Sequence, residues 1–264
     1  MATQASEDRR PGDSYVQSFA RGLQVIRSFS AEAPQQTLTE VATRSGLTRA
    51  GARRILLTLQ TLGYVESDGR LFSLTPRILD LGFAYLSSMP IWNLAEPVME
   101  DLAAQVRESC SAAVLDGTDI VYVLRVPTHK IMSISLGVGS RLPTYCTSLG
   151  RMLLAALPDE EVRQRLQASS LAPLTRHTLS EVEAVMARVS QARRQGWCLV
   201  NQELEEGLVS IAAPLTNRSG HTVAALNISG QANRTSAKAM QDTMLPPLLE
   251  AAQAISRMLS ARRG

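Results

Sequence analysis

The 264-residue sequence has only three cysteines, three histidines and a 4% share of aromatic residues, and these shortages narrow what it can do. Cys110, Cys146 and Cys198 lie far apart with no C-x-x-C spacing, which argues against a structural zinc site and a disulfide framework. Buried, reduced thiols are the ordinary reading. Cys146 stands apart because of the loop it occupies, and a redox role there needs accessible, electropositive surroundings. His129, His177 and His221 are isolated from one another, and there is no G-x-S-x-G elbow, H-E-x-x-H pair or Walker A loop. No catalytic residue, metal ligand or cofactor is therefore expected, and an enzyme is disfavoured. Runs of about eighteen apolar residues are absent. The segment 1–14 is polar, contains acids and has no apolar stretch of the signal-peptide kind. The expectation is a cytoplasmic protein without membrane contact. Charge of one sign is not in large excess either. A net charge of +3 and a pI near 9.0 permit nucleic acid as a partner without requiring it, so local charge decides.

What is present is enough apolar material, 45% of residues, for two unequal cores rather than one or three. Residues 1–14 read as a disordered tail. From Tyr15, the residues Val16, Phe19, Ala20, Leu23, Ile26 and Phe29 recur at helical spacing and predict one buried stripe. A polar loop follows. Thr37 with Glu40 forms a capping-box pattern opening a short helix that stops at Gly46. Thr48 caps the next helix, which is expected to bury Ala52, Ile55, Leu56, Leu59 and Leu62. Two short strands around Asp68-Gly69 predict a hairpin over 64–74. These elements make residues 15–75 a winged helix-turn-helix. Thr75-Pro76 starts a linker helix through 76–90, whose Leu81 and Tyr85 lie on a broad apolar side suited to a second subunit. Residues 91–264 then alternate helices with strands at 111–116, 119–126, 131–136, 197–200, 209–215 and 222–229. A long helix over 236–259 ends the pattern. The fold class is α+β, with strands grouped and helices over one or both faces.

The local charge lies on the second helix of the small domain. Thr48, Arg49, Ala50, Arg53 and Arg54 are its expected exposed positions, and no acid occurs between Glu40 and Glu66. In a helix-turn-helix the N-terminal end of this helix enters the major groove. Arg49 is the candidate base reader, because arginine bonds guanine edges bidentately. Arg54 and Arg70 are better placed for phosphates, which fix register without reading sequence. Double-stranded DNA is the implied partner. The competing reading is a winged helix that serves protein contacts alone.

These segments, with the opening YVQSFARGLQVIRSF, the loop GVGSRLPTYCTSLGRMLLA and the segment GWCLVNQELEEGLVSIAAPL followed by LNISG, resemble the IclR family of transcriptional regulators from about Tyr15 to the end. The resemblance implies a GAF-like effector-binding domain, assembly as dimers or dimers of dimers, a roughly palindromic operator, and RNA polymerase as a partner if the protein activates. The loop RLPTYCTSLGR and the helix VQSFARGL are most similar to the subgroup controlling aromatic-acid catabolism through the β-ketoadipate pathway. That implies protocatechuate, 4-hydroxybenzoate, β-ketoadipate or a relative as effector, with a different small metabolite as the alternative. Thr147 and Ser148, at the start of a helix expected from Leu149, suit a carboxylate because free N–H groups point outward there. Arg141 lies just upstream, and Tyr145 belongs to the same loop. The family resemblance adds Asn201, Glu203, Ser210, Asn227 and Ser229. Strand alternation puts Asn227 and Ser229 on one face.

Overall fold

The computed structural model describes residues 15–88, 91–128 and 136–261. The chain divides between Ser88 and Met89 into two compact units. The expected tail over 1–14, the expected strand over 131–136 except Leu136, and Pro90 lie outside the described residues.

The first unit contains α1 (Gln17–Arg27), β1 (Gln35–Thr37), α2 (Leu38–Arg44), α3 (Arg49–Thr61), β2 (Val65–Ser67), β3 (Leu71–Leu74) and α4 (Leu79–Ser88). The capping box forms as the spacing predicts. Glu40 N donates to Thr37 Oγ1, and Thr37 N donates to Glu40 Oε2 at 2.7 Å. Gly46 at φ +65° makes the turn between α2 and α3, a conformation that disfavours a side chain. Thr48 Oγ1 caps α3 by accepting from Gly51 N. The core joins Val25, Val41, Ala42, Ala52, Leu56, Leu59 and Val65.

Four expectations change in this unit. The α1 stripe is not one buried face. Val25 is buried with Ile26 and Phe29 packed near it, whereas Val16, Phe19 and Leu23 point to solvent, Phe19 at 68% exposure. Leu62 is likewise exposed, so α3 buries Ala52, Leu56 and Leu59 with Ile55 half-buried. The polar loop before α2 contains β1, which pairs antiparallel with β3 to make a three-stranded sheet in the order β1-β3-β2. Residues Pro76–Ile78 form a 3₁₀ turn ahead of α4. Thr75 does not cap it, because its hydroxyl donates instead to Gly63 O at 2.6 Å.

The second unit begins with α5 (Ile91–Val106), then β4 (Ser109–Asp116), β5 (Asp119–Val126) and β6 (Arg141–Pro143). Next come α6 (Ser148–Leu154), α7 (Asp159–Ala168), α8 (Val182–Gln195), β7 (Cys198–Asn201), β8 (Leu208–Thr216), β9 (Thr222–Gln231) and α9 (Ala237–Ala261). Its six strands are all antiparallel in the order β6-β5-β4-β9-β8-β7. The helices α5 and α9 pack on each other and on the sheet. The helices α6, α7 and α8 share a core with Ala113, Ile120, Tyr122, Val200, Ala212 and Ala225. Alternation along each strand assigns those residues to one face and Leu226, Ile228 and Ile211 to the other. This is the expected GAF-like α+β arrangement. The strand β6 lies in what reads from sequence as a glycine- and proline-marked loop.

Candidate nucleic-acid interface and ligand cavity

In the first unit, Thr48, Arg49, Ala50, Arg53, Arg54 and Arg70 are all exposed. Arg49 and Arg53 stand one turn apart on α3 and line a groove of about 690 Å³ with Arg70 from the hairpin, together with Thr37, Thr39 and Gln60. The hairpin tip is stiffened from within. Asp68 Oδ1 accepts from Arg70 N and Leu71 N at 2.8 and 2.7 Å, which holds the Asp68 carboxyl below the usual range. Three guanidinium groups beside hydroxyl and amide donors form a surface suited to a polyanion. Arg54 is not in this groove. It lies with Arg21 along an apolar cleft formed by Val16, Phe19, Leu62 and Leu81, apart from Arg70.

In the second unit, the sheet face under α6 carries polar residues where a face packed only for stability would be apolar. The register fixes their order. Arg125 on β5 stands opposite Ser111 on β4, Ser111 opposite Asn227 on β9, and Ser229 on β9 opposite Ser210 on β8. The side chains link along this strip. Arg125 Nη1 donates to Ser111 Oγ at 3.2 Å, Asn227 Nδ2 donates to Ser229 Oγ at 3.0 Å, and Ser148 Oγ on α6 donates to Ser210 Oγ at 2.9 Å. A cavity opens against the strip, lined also by Tyr122, Thr147, Leu149, Leu204 and Leu208. Its interior space is about 20 Å³, on the order of one water. Asn227 is 3% exposed, and its Oδ1 is buried without a hydrogen-bond partner. An acceptor left in that condition costs about 1–3 kcal/mol. Burial pushes the Tyr122 hydroxyl up to about 12, so the phenol stays protonated.

Of the expected pocket residues, the structure brings Thr147, Ser148, Leu149, Ser210, Asn227 and Ser229 to this cavity. Four others lie elsewhere. Arg141 is on the surface of β6, where it donates to Asp116 Oδ2 at 2.6 Å and to Asp119 Oδ2 at 3.2 Å. Tyr145 is buried with its hydroxyl donating to Ala172 O at 2.8 Å. Asn201 is exposed at the end of β7. Glu203 is buried, but its carboxylate is taken by Arg151 of α6. Nη1 reaches Oε1 at 2.7 Å and Nη2 reaches Oε2 at 2.5 Å, while Leu179 N also donates to Oε2. The helix terminus is also less open to a ligand than its sequence suggests. The seven-residue α6 starts at Ser148, and its Gly150 N–H already donates to Thr147 Oγ1. Cys146 touches the cavity, yet burial pushes its thiol up to about 12. That suits a small packed hydrophobe and opposes thiolate redox chemistry.

Arg125 is the residue that sequence reading missed. Strict alternation along β5 puts it on the face opposite Tyr122. The pairing with β4 shifts at Ala112/Ala113, because Ala112 faces Leu124 and Ala113 faces Tyr122, so Val123 is an extra residue. A bulge of this kind turns every later side chain to the other face, and Arg125 thereby joins Tyr122 at the cavity. A basic residue inside the apolar strand IVYVLRV was the available signal.

Residues 18–69 match the model of the IclR helix-turn-helix domain, and residues 83–257 match that of the bacterial transcriptional regulator IclR C-terminal region. The Pca regulon regulatory protein of Pseudomonas putida is 43% identical over 246 residues, which are 93% of this chain and 84% of that protein. The p-hydroxybenzoate hydroxylase transcriptional activator of Acinetobacter baylyi is 34% identical over 260 residues, 97% of this chain and 96% of its own. A solved structure of an IclR homolog from Microbacterium hydrocarbonoxydans, complexed with 4-hydroxybenzoate, has a TM-score of 0.81 at 25% identity and covers 92% of this chain and 98% of that one. These relatives are regulators and not enzymes.

Proposed function

The chain belongs to the IclR family of bacterial transcriptional regulators, and from that premise we propose that it grips a roughly palindromic operator as a dimer or dimer of dimers, under the control of a small carboxylate. The observation that carries this reading is the pairing of two features in one chain. One is an exposed groove with Arg49, Arg53 and Arg70 beside a capped helix. The other is a polar strip, buried apart from the half-buried Arg125, at a cavity with leucine walls. Protocatechuate, 4-hydroxybenzoate and β-ketoadipate are the effectors favoured by the likeness to the Pca regulon and p-hydroxybenzoate hydroxylase regulators. A ring-bearing acid is far larger than the interior space, so its entry has to displace lining side chains. That displacement gives the ligand two states to discriminate, the requirement for control at a distance. The helix α4 is the element suited to carry the change into subunit pairing, through Leu81 and Tyr85.

Fluorescence anisotropy with the upstream intergenic DNA, at fixed salt and with each of the three acids, tests the reading. Specific binding that shifts with one acid is expected. Binding unmoved by any of them removes the proposed ligands, and no binding returns the winged helix to protein contacts.

A further inference from the structure

Resting on that reading of the cavity as an effector site, we propose that the loop 202–207 is its door, with Leu204 closing the opening and a strap over 175–179 holding the loop shut. An interior of about 20 Å³ is on the order of one water, so a wall has to move before a ring can enter. The sheet wall is fixed by ladder pairing across β5, β4, β9 and β8. Every residue of α6 is buried, and a Cβ at Gly150 would fall 2.3 Å from Thr144 Cα, so that helix already rests on backbone. Of the described lining residues outside helices and strands, Cys146 and Thr147 are buried, whereas Leu204 is half-buried on a surface loop.

This loop can swing without unzipping the sheet. It begins at Gln202 with φ +60° and ends at Gly207 with φ +83°, so left-handed backbone stands at both hinges, and at Gln202 it strains a residue that carries a side chain. The neck is self-contained. Gln202 N donates to Leu208 O at 2.7 Å, and Gly207 N donates to Gln202 Oε1 at 2.9 Å. Residues outside the cavity lining hold the tip. Thr175 Oγ1 donates to Gln202 O and Thr178 Oγ1 to Glu203 O, both at 2.6 Å, while Leu179 N and Arg151 take the Glu203 carboxylate. The strength of the latch is therefore separate from contact with the ligand. Weakening the strap raises the open population, and lids of this kind govern the rate of entry.

Cys146 lines the cavity with Leu204, whereas Cys110 and Cys198 do not, so the three thiols read the door without any ligand. A buried thiol reacts only from an opened state. Labelling of the full chain with N-ethylmaleimide, resolved by site in a mass spectrometer, is expected to modify Cys146 about tenfold or more faster than Cys110 and Cys198. Thr175→Val/Thr178→Val removes two hydrogen bonds and is expected to speed Cys146 by about another tenfold while Cys110 is unchanged. Thr175→Ser/Thr178→Ser keeps the hydroxyls and should label at the parental rate. Leu204→Ala, which trims the door and spares the strap, should also speed Cys146 and serves if the strap variant does not fold. Three thiols reacting together in the parent, or Cys146 unmoved by these substitutions, overturns the inference. Equal acceleration of all three overturns it as well, because the strap then serves general stability alone. Stopped-flow association of 4-hydroxybenzoate, expected to be about tenfold faster in Thr175→Val/Thr178→Val, ties the door to the effector. Association at the parental rate in that variant sinks the door alone. If the parent binds no acid, the effector reading of the cavity fails, and the thiol rates still decide whether the loop opens.

Discussion

Arg151 is a charged side chain where charge is costly, 1% exposed and surrounded by the core under α6. It is tolerated because every prong is used. Nε donates to Tyr145 O at 2.8 Å, and the other two nitrogens grip Glu203. Thr178 Oγ1 donates to Glu203 O at 2.6 Å, so one ion pair ties α6, the loop after β7 and the segment before α8 together. Such a pair is worth little over a well-packed apolar replacement, yet removing one partner strands the other at a cost of about 3–5 kcal/mol. Glu203→Ala is therefore expected to lose about that much in urea unfolding. Arg151→Met/Glu203→Leu should recover part of it, since no charge is stranded and only Tyr145 O and Leu179 N lose a partner. A Glu203→Ala variant within about 1 kcal/mol of the parent would mean that water reaches the guanidinium.

The buried thiols make a second prediction at this scale. Burial pushes Cys110 and Cys146 up to about 12 and Cys198 up to about 11, from an ordinary value of 9.0. In the window between 9 and those values the folded state holds protons that the unfolded chain releases. Stability contributed by the neutral thiols is complete below pH 9 and falls as pH rises above it, by up to about 1.4 kcal/mol per pH unit for each thiol. Urea midpoints taken from pH 8 to 11 should decline from pH 9 onward, less steeply in a Cys198→Ala variant. A flat profile would contradict the burial of these groups.

At the scale of elements, α3 and the hairpin separate two jobs that a single affinity value would merge. Arg49 lies in the first turn of α3, and Arg70 follows the hairpin turn. Arg49→Ala is expected to cost about 1–3 kcal/mol and relax preference at one operator position. Arg70→Ala should weaken all sequences alike and reduce the salt slope by about 1. Competition binding against single-base operator variants at several salt concentrations distinguishes them, and equal behaviour of the two variants would undo the assignment.

The same elements explain what could be read in advance. The capping box of Thr37 and Glu40 is a local interaction, complete within four residues, and so was legible. The strand β1 was not, because Gln35-Gln36-Thr37 has no apolar alternation. Gln36 is buried only because its Nε2 donates to Ser28 O and Ala33 O, partners set by the fold. The cavity divides in the same way. Asn227 and Ser229 came from likeness in sequence, with period-two alternation giving their shared face, whereas Arg125 depends on a bulge that only strand pairing reveals. Glu203 was placed at the cavity by likeness in sequence and Arg141 by its position just upstream of the helix start, yet each is claimed by a charged neighbour distant along the chain.

Periodicity along α1 announces apolar faces without saying what covers them, and this matters most for the molecule as a whole. Val16 at the start of α1, Phe19 and Leu23 on it, Leu62 after α3, and Leu79, Leu81 and Phe83 on α4 are exposed in the single chain. Val16, Phe19, Leu23, Leu62 and Leu81 gather along one cleft, and an exposed apolar patch of this kind marks an association site. A second copy is the occupant the proposed function requires, because a two-fold dimer sets two recognition helices about one turn of DNA apart or a multiple of it. Binding by two linked heads also gains from effective concentration, so dimer loss should cost operator affinity far more than it costs a half-site. Phe19→Glu and Phe83→Glu are therefore expected to sediment as monomers, or as weakened dimers at micromolar concentration. Their affinity for the full operator should fall by about a hundredfold, with little change on an isolated half-site. Variants that stay dimeric and bind as the parent does would assign this apolar face to another partner.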